Sequence, residues 1–217
     1  MTIRLLLVDD HRMMREGLRA LLKEHAELAV VGEAEDGREA IEKARELRPD
    51  IVVMDLAMGE LNGIDATRQL RAELPHVGVV ALSTYTRDDY VLRVLEAGAA
   101  AYVTKISAHE ELVEAIRAVA RGRRFLSPEV TGAVVEAGIH GSRGAIRGAH
   151  VSLTRREREV LQLVAEGRTS GEIAARLDLS TRTVEQHRRH IMDKLDLRSV
   201  ADLTKYAIRE HLVSLDE

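Results

Sequence analysis

The sequence predicts two domains: a doubly wound α/β domain with a five-stranded parallel sheet, followed by an all-α domain of four helices. Over residues 1–120, five short apolar runs alternate with five amphipathic stretches. Residues 122–150 then contain six glycines, which is typical of a linker. From residue 153 onward, four segments with helical spacing of apolar residues each follow a Ser or Thr that can cap a helix.

The apolar runs of the first domain are continuous rather than alternating, as in strands that are buried on both faces of a parallel sheet. The stretches between them place apolar residues three and four positions apart, which favours helices. The predicted strands are Ile3–Val8, Ala29–Val31, Ile51–Met54, Val77–Leu82 and Ala99–Val103. The predicted helices are Arg12–Glu24, Arg38–Leu47, Ile64–Glu73, Asp88–Glu96 and Glu110–Ala120. In a sheet of this kind, functional groups gather at the carboxyl ends of the strands.

The four helices of the second domain are predicted from their caps. Thr154 with Glu157 forms a capping box for a helix that ends near residue 166, and Thr169 with Glu172 forms another. Ser180 or Thr181 caps the third helix and Ser199 the fourth, which runs to about residue 211. We therefore expect domains at residues 1–121 and 151–217, joined by a linker at 122–150 that contains at most a short helix over residues 130–137.

Composition excludes several classes of protein. The chain has 217 residues and no cysteine, so it has no disulfide framework, thiolate zinc site or cysteine nucleophile. No apolar stretch reaches the ~18 residues of a membrane-spanning helix. The first residues, MTIRLLLVDDHR, end their apolar run in two acids and do not form a signal peptide. We expect a cytoplasmic protein that has no membrane partner.

The charges are distributed unevenly. The formal net charge is −4, and residues 1–120 carry 22 acidic against 15 basic side chains. Such an acidic domain does not resemble a nucleic-acid surface. Residues 151–217 are neutral as a whole, although Arg182, Arg188, Arg189 and Lys194 fall in one helical segment. Charge alone leaves nucleic-acid binding by the second domain open.

Polar residues follow the predicted strands. Asp9 and Asp10 come directly after the first strand, Asp55 ends the third, Ser83 the fourth and Lys105 the fifth. In a sheet of order 2-1-3-4-5, the first and third strands are neighbours, so the three carboxylates converge and require a cation. Oxygen ligands of this kind select Mg²⁺ or Mn²⁺. A metal, a hydroxyl and a lysine together can hold a phosphoryl group, with Asp55 as the nucleophile.

Each of these residues also has a simpler interpretation. Asp9 or Asp10 could cap the first helix, Ser83 could belong to a turn, and Lys105 could be a solvated charge. Tyr102, in the fifth strand, could be a core residue. The coincidence of acids, hydroxyl and lysine at four strand ends favours the functional interpretation of the set.

Four motifs resemble the receiver domain of bacterial two-component response regulators: VDDH at 8–11, MDLAMGELNG at 54–63, ALST at 81–84 and AGAAAYVTK at 97–105. The resemblance covers residues 1–121 and implies a flavodoxin-like sheet. In that family, the acid matching Asp55 accepts a phosphoryl group from a sensor histidine kinase, and acids matching Asp9 and Asp10 hold Mg²⁺ with it. The hydroxyl and lysine matching Ser83 and Lys105 contact the phosphoryl oxygens.

The resemblance also implies a switch and contains one departure. An aromatic residue matching Tyr102 rotates inward as the hydroxyl matching Ser83 is drawn to the phosphate. Relatives commonly have proline after the position of Met58, where this chain has Gly59. Because glycine is more flexible than proline, we expect the phosphorylation chemistry to survive while loop order and phosphate lifetime change.

The segment Leu153–Ser199 resembles the LuxR-type helix-turn-helix of the NarL/FixJ subfamily, through residues such as Glu157, Gly167, Glu172 and Val184. The second helix of such a motif enters the major groove. The residues expected to contact DNA are Arg182, Thr183, Glu185, Gln186, Arg188, Arg189 and Lys194.

The resemblance divides these contacts into two groups. It places Glu185, Gln186 and Arg189 at base edges, and Thr183, Arg188 and Arg182 at phosphates. Glu185 stands where many relatives have lysine, and it could instead form an i,i+4 pair with Arg189. In the last helix, Leu203, Ala207 and Val200 could serve either dimerisation or core packing.

The sequence therefore predicts a DNA-binding transcriptional response regulator that is switched by Mg²⁺-dependent phosphorylation and is not an enzyme. The expected partners are a sensor histidine kinase, paired DNA half-sites, a second copy of the chain after phosphorylation, and RNA polymerase as a further candidate. Two alternatives stay open. One is a phosphotransferase or phosphatase that uses Asp55, and the other is a phosphorylation-independent helix-turn-helix factor whose receiver serves oligomerisation or ligand sensing.

Overall fold

The computed structural model describes residues 2–59, 61–139, 153–195, 197–209 and 212–213. These residues form two compact units, an α/β unit and a helical unit. The strands of the α/β unit are β1 (Ile3–Val8), β2 (Leu28–Ala34), β3 (Ile51–Asp55), β4 (Gly78–Ser83), β5 (Ala101–Thr104) and β6 (Phe125–Leu126). They form one parallel sheet of order β2-β1-β3-β4-β5-β6. The predicted order 2-1-3-4-5 is confirmed, and β6 extends the sheet by one strand.

Helices connect the strands as the apolar spacing predicts. They are α1 (Arg12–Lys23), α2 (Gly37–Leu47), α3 (Gly63–Glu73), α4 (Asp88–Glu96), α5 (Ala108–Ala120) and α6 (Pro128–Ile139). Polar side chains fix where two of them begin. Asp36 accepts the backbone N–H groups of Arg38 and Glu39 at the start of α2, and Asn62 accepts that of Asp65 in α3. Such caps satisfy N–H groups that have no partner within the helix.

Burial explains the continuous apolar runs. Every residue of the central strand β3 is buried, because helices cover both faces of the sheet. β2 lies at an edge of the sheet, and most of its residues are only half-buried. It therefore accommodates Gly32 and Glu33, and it extends on both sides of the short apolar run that predicted it.

The segment expected to be a linker carries more structure than the sequence predicted. Phe125 and Leu126 pair with Ala101 and Tyr102 of β5, and α6 follows directly. Ser127 lies between β6 and α6 and binds this segment to β5. Its backbone N–H donates to the Tyr102 carbonyl, and its Oγ accepts the N–H of Thr104. α6 packs against α4. The remainder of the expected linker, residues 140–150, lies outside the described residues.

The helical unit consists of α7 (Arg155–Ala165), α8 (Ser170–Leu177), α9 (Thr181–Leu195) and α10 (Val200–Arg209). Both predicted capping boxes are present, at Thr154 with Glu157 and at Thr169 with Glu172. Ser180 accepts the N–H of Thr183, and Ser199 accepts that of Asp202. The predicted starts of all four helices are confirmed, while residues 210 and 211 of the expected last helix lie outside the described residues.

One apolar core holds the four helices together. Ile173 and Leu177 of α8 and Val184 and Ile191 of α9 are buried in it, and Leu195 packs against it. Among the helices that the structure describes, none has both the length and the apolar character required to span a membrane.

Candidate functional site

The carboxyl ends of three strands, β1, β3 and β5, bring the predicted acids and the lysine together. Lys105 follows β5, and its Nζ lies 2.8 Å from Asp9 Oδ2 and 2.8 Å from Asp55 Oδ2. Both carboxylates are almost fully buried. Asp10 is adjacent and partly exposed. We call Asp9, Asp10, Asp55 and Lys105 the acidic pocket.

The donor atoms of the acidic pocket fit a divalent cation. One ligand atom from each of Asp9, Asp10, His11 and Asp55 lies within 4.8 Å of the others. Asp55 Oδ2 and Asp10 Oδ1 are buried and accept no hydrogen bond of regular geometry within the described residues. Asp55 Oδ2 lies 2.8 Å from Lys105 Nζ, and Asp10 Oδ1 lies 2.7 Å from His11 Nδ1. Carboxylate oxygens with lone pairs to spare are the ligands that Mg²⁺ prefers.

Burial and charge set the protonation of the pocket. Burial raises the pKa of Asp55 to about 6, Lys105 opposes this and Asp9 adds to it. Burial alone would lower the pKa of Lys105, but the charges and hydrogen bonds of Asp55 and Asp9 outweigh it and raise that pKa. The negative charge of Asp10 raises the pKa of His11 against the opposing effect of burial. Asp55 is consequently ionised above about pH 6 and available as an oxygen nucleophile.

Ser83 and Tyr102 connect the pocket to the β4–α4 loop. Ser83 ends β4, is almost fully buried, and accepts the backbone N–H of Tyr85 at 3.1 Å. The Tyr102 ring is fully buried, and its hydroxyl donates to the Tyr85 carbonyl. Burial raises the pKa of Tyr102 to about 12, while a hydrogen bond from Ser83 acts in the opposite direction. The inward position implied for Tyr102 is therefore the one that this structure contains.

The seven residues of α9 expected to contact DNA divide into two groups. Arg182, Gln186 and Arg189 are exposed, and their positions at i, i+4 and i+7 place them on one face of the helix. We call these three residues the groove face of α9. Arginine can pair with guanine and glutamine with adenine in the major groove.

The other residues on α9 engage neighbours in the same unit. Thr183 Oγ1 lies 2.8 Å from the hydroxyl of the cap Ser180. The Ser170 hydroxyl, at the first position of α8, donates to Glu185 and accepts from Arg188 at 2.7 Å. Arg188 also lies 3.4 Å from Glu185. The expected i,i+4 pair of Glu185 with Arg189 is therefore replaced by an i,i+3 pair with Arg188, because the hydroxyl of Ser170 draws both side chains toward α8.

Comparison with known families agrees with this geometry. Residues 5–117 match the response regulator receiver domain, and residues 151–207 match the bacterial regulatory proteins of the luxR family. The chain belongs to the two-component response regulators with a LuxR-type DNA-binding domain. It is 42% identical to the transcriptional regulatory protein LiaR of Bacillus subtilis (strain 168), over 98% of this chain and all of LiaR.

Solved structures resemble this response regulator as well. A LuxR-family two-component response regulator from Aurantimonas sp. SI85-9A1 is 42% identical, with a TM-score of 0.61 over 64% of this chain and 99% of that one. A structure of two RcsB dimers bound to two parallel DNAs is 25% identical, with a TM-score of 0.59 over 95% of this chain and 98% of that one.

Sequence reasoning missed two side chains at this response regulator's site, Arg15 and His11. Arg15 of α1 is buried, and it donates to the Asp9 carbonyl at 2.6 Å and to Glu35 at 2.6 Å. It fixes the backbone that carries Asp9. His11 was quoted as part of a motif but not as a ligand, although its spacing directly after two acids was a signal that could have found it.

Two tyrosines beside Ser83 and Tyr102 were also missed. The Tyr85 and Tyr90 rings meet edge to face, with centroids 5.1 Å apart. Tyr90 belongs to α4, is fully buried, and has a pKa raised by burial and by Tyr102. The hydroxyl of Tyr102 thus connects through the Tyr85 backbone to a ring of α4. No periodicity signals this contact, because Tyr85 lies in a loop.

Three further side chains of the DNA-binding domain, Lys194, Leu203 and Ala207, have structural roles in this conformation. Lys194 Nζ lies 2.7 Å from Glu157 Oε2, which also belongs to the capping box of α7. In α10, Leu203 and Ala207 are fully buried in the core, whereas Val200 is 45% exposed. Core packing therefore accounts for Leu203 and Ala207, and Val200 alone of the three is left for contact with another molecule.

Proposed function

We propose that this response regulator is switched by phosphorylation of Asp55, which a sensor histidine kinase supplies. The observation that supports this most directly is the pair of 2.8 Å contacts from Lys105 Nζ to the buried carboxylates of Asp9 and Asp55. The lysine holds two like charges together at the point where four strands end. This arrangement provides an oxygen nucleophile beside a fixed cation, as transfer of an anionic phosphoryl group requires.

In the proposed step, a carboxylate oxygen of Asp55 bonds to the phosphorus as the bond between phosphorus and the kinase histidine nitrogen breaks. Asp9, Asp10 and Asp55 would hold Mg²⁺ or Mn²⁺, which neutralises charge on the phosphoryl oxygens when it is bound. Lys105 keeps its charge in the buried site because both carboxylates raise its pKa. It can therefore pass from the Asp55 carboxylate to a phosphoryl oxygen.

Phosphorylation would be transmitted through hydrogen bonds of the chain itself. The Ser83 hydroxyl contacts both the Tyr85 N–H and Tyr102. A phosphoryl oxygen that accepts the Ser83 proton removes its bond to Tyr102 and biases the Tyr102–Tyr85 link to α4. A change of charge and hydrogen bonding at one site can shift a two-state element in this way.

The proposed output is dimerisation and binding to paired DNA half-sites. The groove face of α9 (Arg182, Gln186 and Arg189) would supply the first contacts. Thr183, Glu185, Arg188 and Lys194 would join it on DNA after exchanging their present partners. RcsB, a relative, forms dimers that bind DNA. Regulated transcription with RNA polymerase as a further partner is the corresponding role for this chain.

Phosphoryl incorporation from acetyl phosphate tests this proposal. Intact mass is measured with Mg²⁺ and with EDTA, and native size is recorded on the same samples. We expect a gain of one phosphoryl group with Mg²⁺ only, and a shift from monomer to dimer. Asp55→Asn should abolish both changes, whereas Glu42→Gln, at an exposed position of α2, should retain them.

Incorporation that persists in Asp55→Asn would refute the assignment of Asp55. If purified kinase and acetyl phosphate both fail to label the wild-type protein while it still binds DNA, the phosphorylation-independent factor is the correct alternative.

A further inference from the structure

A cavity of about 730 Å³ lies at the amino-terminal ends of the strands, whereas the acidic pocket lies at their carboxyl ends. It is lined where β1, β3 and β4 begin, by Ile3, Ile51 and Gly78, and by the end of α5 at Val119. Its volume falls within the range of small-molecule sites, about 300–1,000 Å³. Because the acidic pocket lies at the carboxyl ends of the same strands, the two sites are separated by the length of the sheet.

The charge of this cavity opposes that of its domain. Five arginines line it, against the two carboxylates of Glu27 and Asp50. Residues 1–120 as a whole carry more acidic than basic side chains. A positively charged cavity in an otherwise acidic domain produces a local positive electrostatic potential, which attracts anions to the cavity.

Two of the five arginines are already engaged within the fold. Arg117 pairs with Glu27, and Arg71 donates to the Val77 carbonyl at 2.9 Å. Gly98 allows this position of Arg71, because it has a φ of +105° and a Cβ there would lie 2.8 Å from Arg71 Cγ. These two side chains form a fixed wall of the cavity.

The other three arginines, Arg121, Arg123 and Arg124, are exposed on the turn after α5. Arginine near a helix C-terminus can serve the helix by capping its last carbonyls. Here backbone N–H groups of residues 121–123 already satisfy the Ala118 and Val119 carbonyls. The side chains of Arg121, Arg123 and Arg124 are therefore not needed to cap these two carbonyls, and all three residues line the cavity.

We propose that this cavity binds a phosphorylated small molecule of nucleotide size. The guanidinium groups of Arg121, Arg123 and Arg124 would take its phosphates, since planar forked donors match phosphate oxygens bidentately. The apolar floor at Ile3, Ile51 and Val119 would cover its organic body. Binding of such a ligand would regulate the receiver independently of phosphorylation at the acidic pocket.

Isothermal titration of the full-length protein in EDTA tests the proposal, because the chelator prevents Mg–nucleotide from binding at the acidic pocket. The probes are ATP, inorganic pyrophosphate and adenosine. We expect ATP to bind, pyrophosphate to bind about tenfold more weakly because it leaves the floor uncovered, and adenosine to show no binding near 1 mM. The amide resonances of Gly98 and Gly122, which line the cavity, should shift with ATP, and that of Gly17 should not.

A charge-matched pair of variants locates the site. Arg121→Gln with Arg124→Gln should weaken ATP binding by about tenfold or more. Lys23→Gln with Arg48→Gln removes the same charge at exposed positions outside the cavity and should change ATP binding less than about twofold.

Three results would overturn the proposal. They are the absence of ATP binding, equal weakening by both pairs of variants, and equal affinity for ATP and pyrophosphate, which would indicate a simple anion site. If unrelated duplex DNA bound through Arg121 and Arg124 while ATP did not, the cavity would belong to a nucleic-acid surface and the small-molecule ligand would be wrong.

Discussion

At the acidic pocket, three strands of one sheet, β1, β3 and β5, bring side chains to the same point, whereas the groove face of α9 depends on the rotation of one helix. Lys105 Nζ lies 2.8 Å from a carboxylate oxygen of Asp9 and 2.8 Å from one of Asp55, and both carboxylates are buried. Of the α9 residues expected at DNA, Arg182, Gln186 and Arg189 are exposed, while Glu185 and Arg188 contact Ser170. A site at strand ends is fixed by backbone topology, and a site on a helix face is also determined by where long side chains find partners.

The largest effect is expected at Lys105. Lys105→Met leaves two buried carboxylates without a cation, so the free energy of unfolding at neutral pH in EDTA should fall by about 3 kcal/mol. Urea denaturation measures it. Lys23→Met, at an exposed site, should change it by less than about 0.5 kcal/mol. Adding Asp55→Asn to Lys105→Met should restore much of the lost free energy of unfolding. Equally small losses in Lys105→Met and Lys23→Met would show that charge pairing does not hold the pocket together.

The next effect concerns the pH dependence of stability. The pKa of Asp55 is about 6 in the fold against 3.8 as its ordinary value, so ionised Asp55 destabilises the fold above about pH 6. Asp55→Asn should therefore raise the free energy of unfolding by roughly 2 kcal/mol near pH 8 in EDTA. The advantage should shrink as pH falls through about 6 and vanish below about 4. Thermal unfolding across pH measures this, and an advantage that grows toward acid would contradict the assignment.

A smaller contrast separates two basic residues of α9. Arg189→Ala should weaken binding to a duplex enriched from a random pool by about tenfold, with little change in stability. Lys194→Ala breaks the contact with Glu157 and should cost about 1 kcal/mol of stability, with a weaker effect on DNA. Fluorescence anisotropy and urea denaturation measure the two quantities. The reverse pattern would show that Lys194, rather than Arg189, supplies the stronger contact with DNA.

The smallest effect is expected at Glu185. Glu185→Lys removes the acid that pairs with Ser170 and Arg188 and adds one cation near the phosphates. The slope of log affinity for unrelated DNA against log salt should steepen by about 0.9. Arg176→Lys in α8 preserves charge and serves as the control. An unchanged slope in Glu185→Lys would place that position away from the DNA backbone.

The sequence was sufficient for the acidic pocket because the alternation of elements predicted a parallel sheet and the resemblance to receiver domains implied the order 2-1-3-4-5. Once β1 and β3 are neighbours, Asp9 and Asp55 must meet, and Lys105 follows from the register of β5. Arg15 was missed because its contribution depends on which way its side chain turns from α1, whereas the position of His11 directly after two acids would have allowed its prediction. The functional roles of these residues remain predictions that phosphorylation experiments test.

The partners of long side chains could not be predicted from spacing alone. Glu185 has Arg189 at i+4 and Arg188 at i+3, and the choice between them depends on Ser170, 15 positions away in sequence. The pairing of Lys194 with Glu157 spans 37 residues. β6 was missed because a strand of two residues is too short to show a period. Its position depends on backbone pairing with β5 rather than on its own composition.

β6 has a consequence for any isolated receiver fragment of this protein. Phe125 and Leu126 cover the outer side of β5, and Ser127 satisfies the N–H of Thr104. A fragment that ends at Arg121 would leave β5 as an open edge, and unpaired strand edges recruit other chains. Such a fragment would self-associate edge to edge through β5, whether or not Asp55 is phosphorylated. A fragment that ends at Ile139 keeps the edge closed, so its dimers would report on the switch.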